Sequence, residues 1–236
     1  MIAKPNGPRD RLIVALDVPT VPEAEALIAR LGDSVGVYKI GLELILGGGV
    51  ALAERLAGEG RHVFLDAKLL DIDNTIAKAV ANAVRTGVGF LTVHAYPKAM
   101  RAAVAARGDA ALALLGVTVV TSMDDGDLTA AGYAGTVKDR VLARAADAKA
   151  AGMDGIVASP HELAAVRAAI GNGLVLVSPG IRPAGAAMGD QKRAATPTEA
   201  IRAGADYLVV GRPITEALDP RAAAEAIVAE IAAAAP

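Results

Sequence analysis

The sequence predicts a (β/α)8 barrel, built as one domain across residues 1–236. Eight short β-rich runs recur along the chain, and Ala-rich segments of helical spacing lie between them. That alternation calls for a parallel sheet covered by helices. The runs are nearly all apolar instead of alternating with polar residues, the pattern of strands buried on both faces. Eight of them in a chain of this length fit a closed barrel better than a doubly wound sheet. No Gly-x-Gly-x-x-Gly follows the first run, as a dinucleotide-binding sheet would require.

The elements follow in order. "RLIVALDV", from Arg11, ends on Asp17, and Pro22–Leu31 has the spacing of the first helix. "GVYKIG", from Gly36, carries Lys39, and the later Gly47–Gly49 run reads as a turn. "HVFLDA", from His62, leads through Asp66 and Lys68 to a helix over Thr75–Thr86, with Asn74 or Thr75 placed to cap it. "GFLTVH", from Gly89, ends on His94, which has no nearby base or nucleophile in sequence and reads equally well as structural. "LLGVTVV", from Leu114, runs into Thr121 and Ser122; in "TSMDDGDL" these two offer hydrogen bonds while the aspartates read as solvated. After a helix over Lys138–Ala151, "GIVAS" from Gly155 ends on Ser159, and "ASPHEL" reads as an N-cap and first helical turn. "LVLVS", from Leu174, ends on Ser178, and a helix over Thr198–Ala203 precedes the last run, "YLVVG" from Tyr207, which reaches Arg212.

Composition narrows the function. Hydrophobic residues make up 53%, charged residues 21%, and the net charge is -2, so neither a nucleic-acid nor an anionic-membrane partner is expected. The absence of cysteine excludes disulfides, thiolate nucleophiles, iron–sulfur clusters and cysteine-ligated zinc. His62, His94 and His161 are scattered, with no metal-ligand pair at helical spacing. "MIAKPNGPRDR" lacks an apolar signal core and no apolar run is long enough to cross a bilayer, which points to a soluble cytoplasmic protein.

Barrel enzymes place their chemistry at the C-terminal ends of the strands. Residues two apart on a strand share a face, so Asp66 and Lys68 should both face the barrel mouth, within reach of Lys39 from the strand before. Asp71 follows three residues later. Exposed ion pairs are worth little, but two lysines and two aspartates crowded at adjacent strand ends favour a functional array. Each close pair interacts by about 4 kcal/mol at an effective dielectric near 20. Ammonium groups fixed between carboxylates suit delivery of a proton to carbon, or stabilisation of negative charge, with no cofactor and no metal.

The loops after the seventh and eighth runs carry "SPGIRPAGAAMGDQKRAATP" and "GRPITEA". Gly180 and Gly211 allow close backbone approach, and Arg182 and Arg212 supply charged donors, a combination that suits a phosphate. The stretch from Ala184 to Ala195 is small-residue, Gly-containing and long for such a connection, and reads as a mobile lid.

Six pieces, "IVALDVP", "YKIGLEL", "FLDAKLLDIDNTI", "VTVVTSM", "PGIRPAGAAMGDQKRAATP" and "DYLVVGRPIT", stand in an order that resembles the bacterial orotidine 5′-phosphate decarboxylase family over essentially the whole chain. The resemblance implies a cofactor-independent decarboxylase in which Lys39, Asp66, Lys68 and Asp71 form a charged tetrad and Lys68 donates the proton. It implies a homodimer with shared sites, Asp71, Ile72 and Thr75 being lent to the neighbouring subunit. Asp17 and Lys39 would bind ribose hydroxyls, Thr121 (with Ser122) the pyrimidine, and Arg182, Gln191, Gly211 and Arg212 the phosphate. The chain departs from the family's motif at Leu69, Leu70 and Asp73, where Phe, His and Pro are usual; none belongs to the tetrad.

The closest rival is a magnesium-dependent sugar-phosphate lyase of the same barrel superfamily, which shares Asp-x-Lys-x-x-Asp; "DIDNT" and the "PGIRP" loop favour the pyrimidine enzyme. A Schiff-base aldolase using Lys68 or Lys39 fits less well, because neighbouring carboxylates favour the ammonium over the nucleophilic amine. A catalytically silent phosphate-binding protein would have no need of the charged array.

Overall fold

The eight strands close on themselves. In the computed structural model, which describes residues 5–184 and 193–234, parallel strands β1–β8 pair in sequence order and β8 pairs back to β1. They are β1 (Leu12–Ala15), β2 (Val37–Ile40), β3 (His62–Leu69), β4 (Phe90–His94), β5 (Ala113–Val117), β6 (Gly155–Val157), β7 (Val175–Ser178) and β8 (Tyr207–Val210). Around them run α1 (Val21–Leu31), α2 (Val50–Gly58), α3 (Asp73–Thr86), α4 (Pro97–Arg107), α5 (Val137–Ala151), α6 (Leu163–Ile170), α7 (Pro197–Arg202) and α8 (Pro220–Ala234). Each predicted run overlaps one strand, in a TIM barrel. No helix among the described residues is long and apolar enough to cross a membrane.

Local chemistry sets the helix starts. The Thr20 hydroxyl accepts from Glu23 N–H ahead of α1, and reciprocal Thr136–Asp139 and Thr196–Glu199 pairs cap α5 and α7. Each cap satisfies N–H groups that lack a partner within the helix. Two expectations need correction. Neither Asn74 nor Thr75 caps α3: the helix begins at Asp73 with Ile72 in the cap position, and Asp71 Oδ1 instead accepts from Ile72 N–H at 2.6 Å. The Gly47–Gly49 run is not a simple turn. It forms a widened helical turn over Ile45–Gly49 that joins Leu42–Leu44 to α2, with Gly48 at φ 96°. A Cβ on Gly47 would lie 2.6 Å from the Pro19 carbonyl oxygen, so the close approach of this turn to the β1 loop requires glycine.

Alternation along the strands separates two apolar layers. Ile13 and Ala15 belong to the barrel interior, while Leu12, Val14 and Leu16 pack with the helices. Phe64, Phe90 and Tyr207 fill the interior, with ring centroids 5.8 and 5.4 Å apart. Burial pushes the Tyr207 phenol up to about 12, so it stays neutral. The same period carries Lys39, Asp66 and Thr92, two residues beyond Val37, Phe64 and Phe90, to the inner side of the C-terminal rim.

The opposite rim repeats one device. Asp154, just before β6, accepts from Leu114 N–H at 2.9 Å and pairs with Arg107 at 2.5 Å. Asp206, just before β8, accepts from Leu176 N–H at 2.8 Å and pairs with Arg167. Each carboxylate ties a strand start to its neighbour and to a helix end. Removal of one strands a largely buried guanidinium, a change that costs roughly 3 kcal/mol. Asp206→Ala should therefore lower the free energy of unfolding by about that amount in urea titrations. Any activity of the opposite rim should persist in the folded fraction.

Candidate active site

The C-terminal ends of the strands enclose a cavity of about 700 Å³. Asp17, Lys39, Asp66 and Lys68 line one side, Val117, Val119 and Val157 the other, and Gly180, Arg182, Gly211 and Arg212 a third.

Asp66 is the hub. Its buried Oδ2 lies 2.7 Å from Lys68 Nζ and 3.5 Å from Lys39 Nζ, while Oδ1 accepts from Thr92 Oγ1 at 2.9 Å. Lys39 Nζ also meets Asp17 Oδ1 at 2.9 Å. Within one chain the charges therefore alternate Asp17–Lys39–Asp66–Lys68. The two lysines differ in access: the Lys39 side chain is 9% exposed, that of Lys68 30%. Gly41 leaves room for the first pair, because a Cβ there would lie 2.8 Å from both Asp17 Oδ1 and Lys39 Nζ.

Lys68 reaches this position through an irregular strand. The β3–β4 register passes from Leu65↔Leu91 to Leu69↔Val93, so β3 carries two more residues than β4 over the same span. Among the described residues Lys68 is the only non-glycine residue at positive φ, 48°. A bulge of this kind re-aims a side chain at the end of a strand.

The other residues singled out in the sequence are placed differently. Thr121 is buried and lines the cavity, whereas Ser122 is exposed. Asp71, Ile72 and Thr75 are exposed at the rim and absent from the cavity lining, and among the described residues Asp71 forms no ion pair. Gln191 and most of the proposed lid lie outside the described residues. The loop's return is visible: Arg193 pairs with Glu162 at 2.7 Å and donates to the Val120 carbonyl at 3.1 Å, while its own carbonyl accepts from Ser159 Oγ at 3.4 Å. Ser159 also accepts from His161 N–H at 3.3 Å, as the N-cap reading requires. The aspartates after β5 are not merely solvated: Asp124 and Asp127 cap the short helix Asp125–Ala130, and Asp125 accepts from Val137 N–H at 2.7 Å.

Residues 10–227 match the sequence model of the "Orotidine 5'-phosphate decarboxylase / HUMPS family". The chain belongs to this family. It is 61% identical over 224 residues to the orotidine 5'-phosphate decarboxylase of Rhodopseudomonas palustris (strain BisB5), covering 95% of each chain. It is likewise 61% identical over 234 residues to the enzyme of that name from Methylobacterium sp. (strain 4-46), covering 98% of this chain and 99% of the relative. The crystal structure of orotidine 5'-phosphate decarboxylase from Lactobacillus acidophilus superposes with a TM-score of 0.82 at 35% identity, over 93% of this chain and 98% of that one.

The cavity is electrostatically uneven. Burial works to raise the Asp66 carboxyl, but the charges of Lys39 and Lys68, with hydrogen bonds from Lys68 and Thr92, together hold it below the usual carboxylate range. His94, half-buried two residues beyond Thr92, is shifted down by burial and then by the positive charges of Arg144 and Lys68, which keeps its imidazole neutral at pH 7. No group of three or more His, Asp or Glu side chains among the described residues is placed to hold a metal ion.

Sequence reasoning overlooked Thr92, Gly41 and Arg193. Thr92 had a weak signal, a hydroxyl in the middle of a largely apolar buried strand; Gly41 and Arg193 take their roles from the approach of Asp17, and of Glu162 and Val120, all distant in sequence.

The depressed Asp66 sets a sign for pH-linked stability. A carboxylate with a lowered folded pKa contributes fully above the unfolded value of about 3.9 and loses that contribution as pH falls through the lower folded value. Urea titrations should give a stability difference between wild type and Asp66→Asn that is flat from about pH 8 to about pH 5. The wild type should then lose ground as acidification passes below the usual carboxylate range. A difference that already changes through neutral pH would contradict this assignment of charge.

Proposed function

We propose that the chain converts orotidine 5′-monophosphate to uridine 5′-monophosphate without a cofactor, as the last step of pyrimidine synthesis in the cytoplasm. The observation that carries this reading is the buried Asp66 clasped by two lysines in a cavity whose far loops present Arg182 and Arg212. The names borne by relatives about 60% identical over nearly the whole chain agree with it.

In the reaction, the bond between ring carbon six and its carboxylate breaks, carbon dioxide departs, and the electron pair stays on the carbon. The Lys68 ammonium, the more accessible of the two, stabilises that charge and then transfers its proton to carbon six. Lys39, buried between Asp17 and Asp66, acts as fixed charge and with Asp17 meets the ribose hydroxyls. Asp66 lies against the departing carboxylate. Thr121 faces the pyrimidine, while Arg182, Gln191, Gly211 and Arg212 take the phosphate. Contacts to that remote phosphate contribute binding free energy that orders the site around the reacting carbon.

The magnesium-dependent lyase reading is weaker, because both Asp66 oxygens are already engaged by Lys39, Lys68 and Thr92. Activity that survives a chelator would separate the two.

We also propose a homodimer with shared sites. Leu42, Leu46, Leu70 and Ile72 are 51%, 89%, 51% and 70% exposed, on the connections that follow the adjacent strands β2 and β3. Exposed large apolar residues gathered at one rim mark a surface that another chain covers. A second copy seated there would receive Asp71, Ile72 and Thr75, which do not line the cavity of their own chain.

Lys68→Ala should lower kcat by more than about a thousandfold in an ultraviolet assay of orotidine monophosphate while circular dichroism stays native. Substantial residual turnover would sink the role given to Lys68. Mixing inactive Lys68→Ala and Asp71→Ala subunits should restore activity, since each mixed dimer regains one intact site. No recovery despite demonstrated subunit exchange would count against shared sites.

A further inference from the structure

Thr92 stands opposite the bulge that contains Asp66, Ala67 and Lys68. It is fully buried and does not line the cavity. Its hydroxyl accepts from Lys68 N–H at 2.9 Å and reaches Asp66 Oδ1 at 2.9 Å. A hydroxyl has one hydrogen to donate, and an ionised carboxylate can only accept. The N–H of Lys68 takes a lone pair of Oγ1, so the hydroxyl hydrogen points to Asp66. The direction of both bonds is thereby fixed.

This one group does two separate things. The bulge removes Lys68 N–H from the regular β3–β4 ladder, and Thr92 Oγ1 supplies the missing acceptor. It thereby supports the positive-φ backbone that turns the lysine into the cavity. The same group also sets the rotation of the Asp66 carboxylate, leaving Oδ2 for the two ammonium groups. Valine, nearly the same shape, can do neither.

We infer that Thr92 is a positioning residue for the reaction, acting through the Lys68 backbone and the Asp66 carboxylate without touching substrate. The inference rests on the decarboxylase reading for its kinetic consequence, and on geometry alone for its structural one.

The experiment compares wild type, Thr92→Val and Thr92→Ser in steady-state decarboxylation and by crystal structures. Thr92→Val should lose about tenfold or more in kcat with KM within about threefold, and Thr92→Ser should stay within about threefold of wild type in both. In the Thr92→Val crystal, Lys68 should leave its positive-φ conformation or its ammonium should leave Asp66; in Thr92→Ser both should remain. Wild-type kcat in Thr92→Val overturns the inference, as does a Thr92→Ser variant impaired as badly as Thr92→Val. If Thr92→Val does not fold, Thr92→Ala, which also lacks the hydroxyl but crowds nothing, is compared with Thr92→Ser in the same way. A wild type with no turnover overturns the proposed function instead, and the crystal comparison still decides the role of Thr92.

Discussion

One buried carboxylate organises the rim of this barrel. Taking an ion out of water costs several kcal/mol unless charges and hydrogen bonds replace its hydration. Asp66 receives two ammonium groups on one oxygen and a hydroxyl on the other, all from side chains that strands β2, β3 and β4 hold in place. Each partner is in turn constrained. Lys39 is flanked by Asp17, Lys68 sits on a bulge, and Thr92 has its hydroxyl committed at both ends. The result is a set of full charges whose positions are fixed by the fold.

That set faces a wall of the opposite character. Ions line the mouth from β1 to β3, whereas Val117 and Val157 line it from β5 and β6. An apolar wall strengthens the field of the charges it faces, because less polarisable matter screens them. The arginines and glycines after β7 and β8 close the third side, and Arg193 ties the return of that loop to the loop after β5 through the Val120 carbonyl. A ligand held at the arginines is thus placed by a frame continuous with the one that holds Lys68.

Much of this was legible in the sequence, for definite physical reasons. Strands buried on both faces must be apolar, so the ends of the runs stood out, and a two-residue period sends Asp66 and Lys68 to one face. The period gives the right face for Lys68, yet the actual path is a bulge with a positive-φ lysine, which no sequence pattern announced. Thr92 left only a weak signal, its hydroxyl within an apolar run, because threonine is at home in any strand. Gly47–Gly49 looked like a turn because glycine is common in turns, whereas the constraint is the Pro19 carbonyl, far off in sequence. Asp71, Ile72 and Thr75 lie outside the cavity of their own chain, and the shared-site reading gives them a place that a single copy does not contain. The Leu69–Leu70 departure also resolves locally: Leu69 pairs with Val93 and packs on the core, while Leu70 is exposed beside Asp71 and Ile72.

Favourable and unfavourable local geometry are divided along the barrel axis. A non-glycine residue in the left-handed region costs about 1–2 kcal/mol, and like charges converging on one oxygen add to the burden at the C-terminal rim. At the N-terminal rim, Asp154 and Asp206 each satisfy a backbone N–H and a guanidinium at once, and Phe64, Phe90 and Tyr207 fill the interior between the two rims. The same strands run through both ends, so order imposed at one limits the freedom of the other. Strain at Lys68 persists because the barrel that carries it is closed, packed and pinned from below, and relaxing that one residue would mean breaking a strand held by its neighbours on both sides.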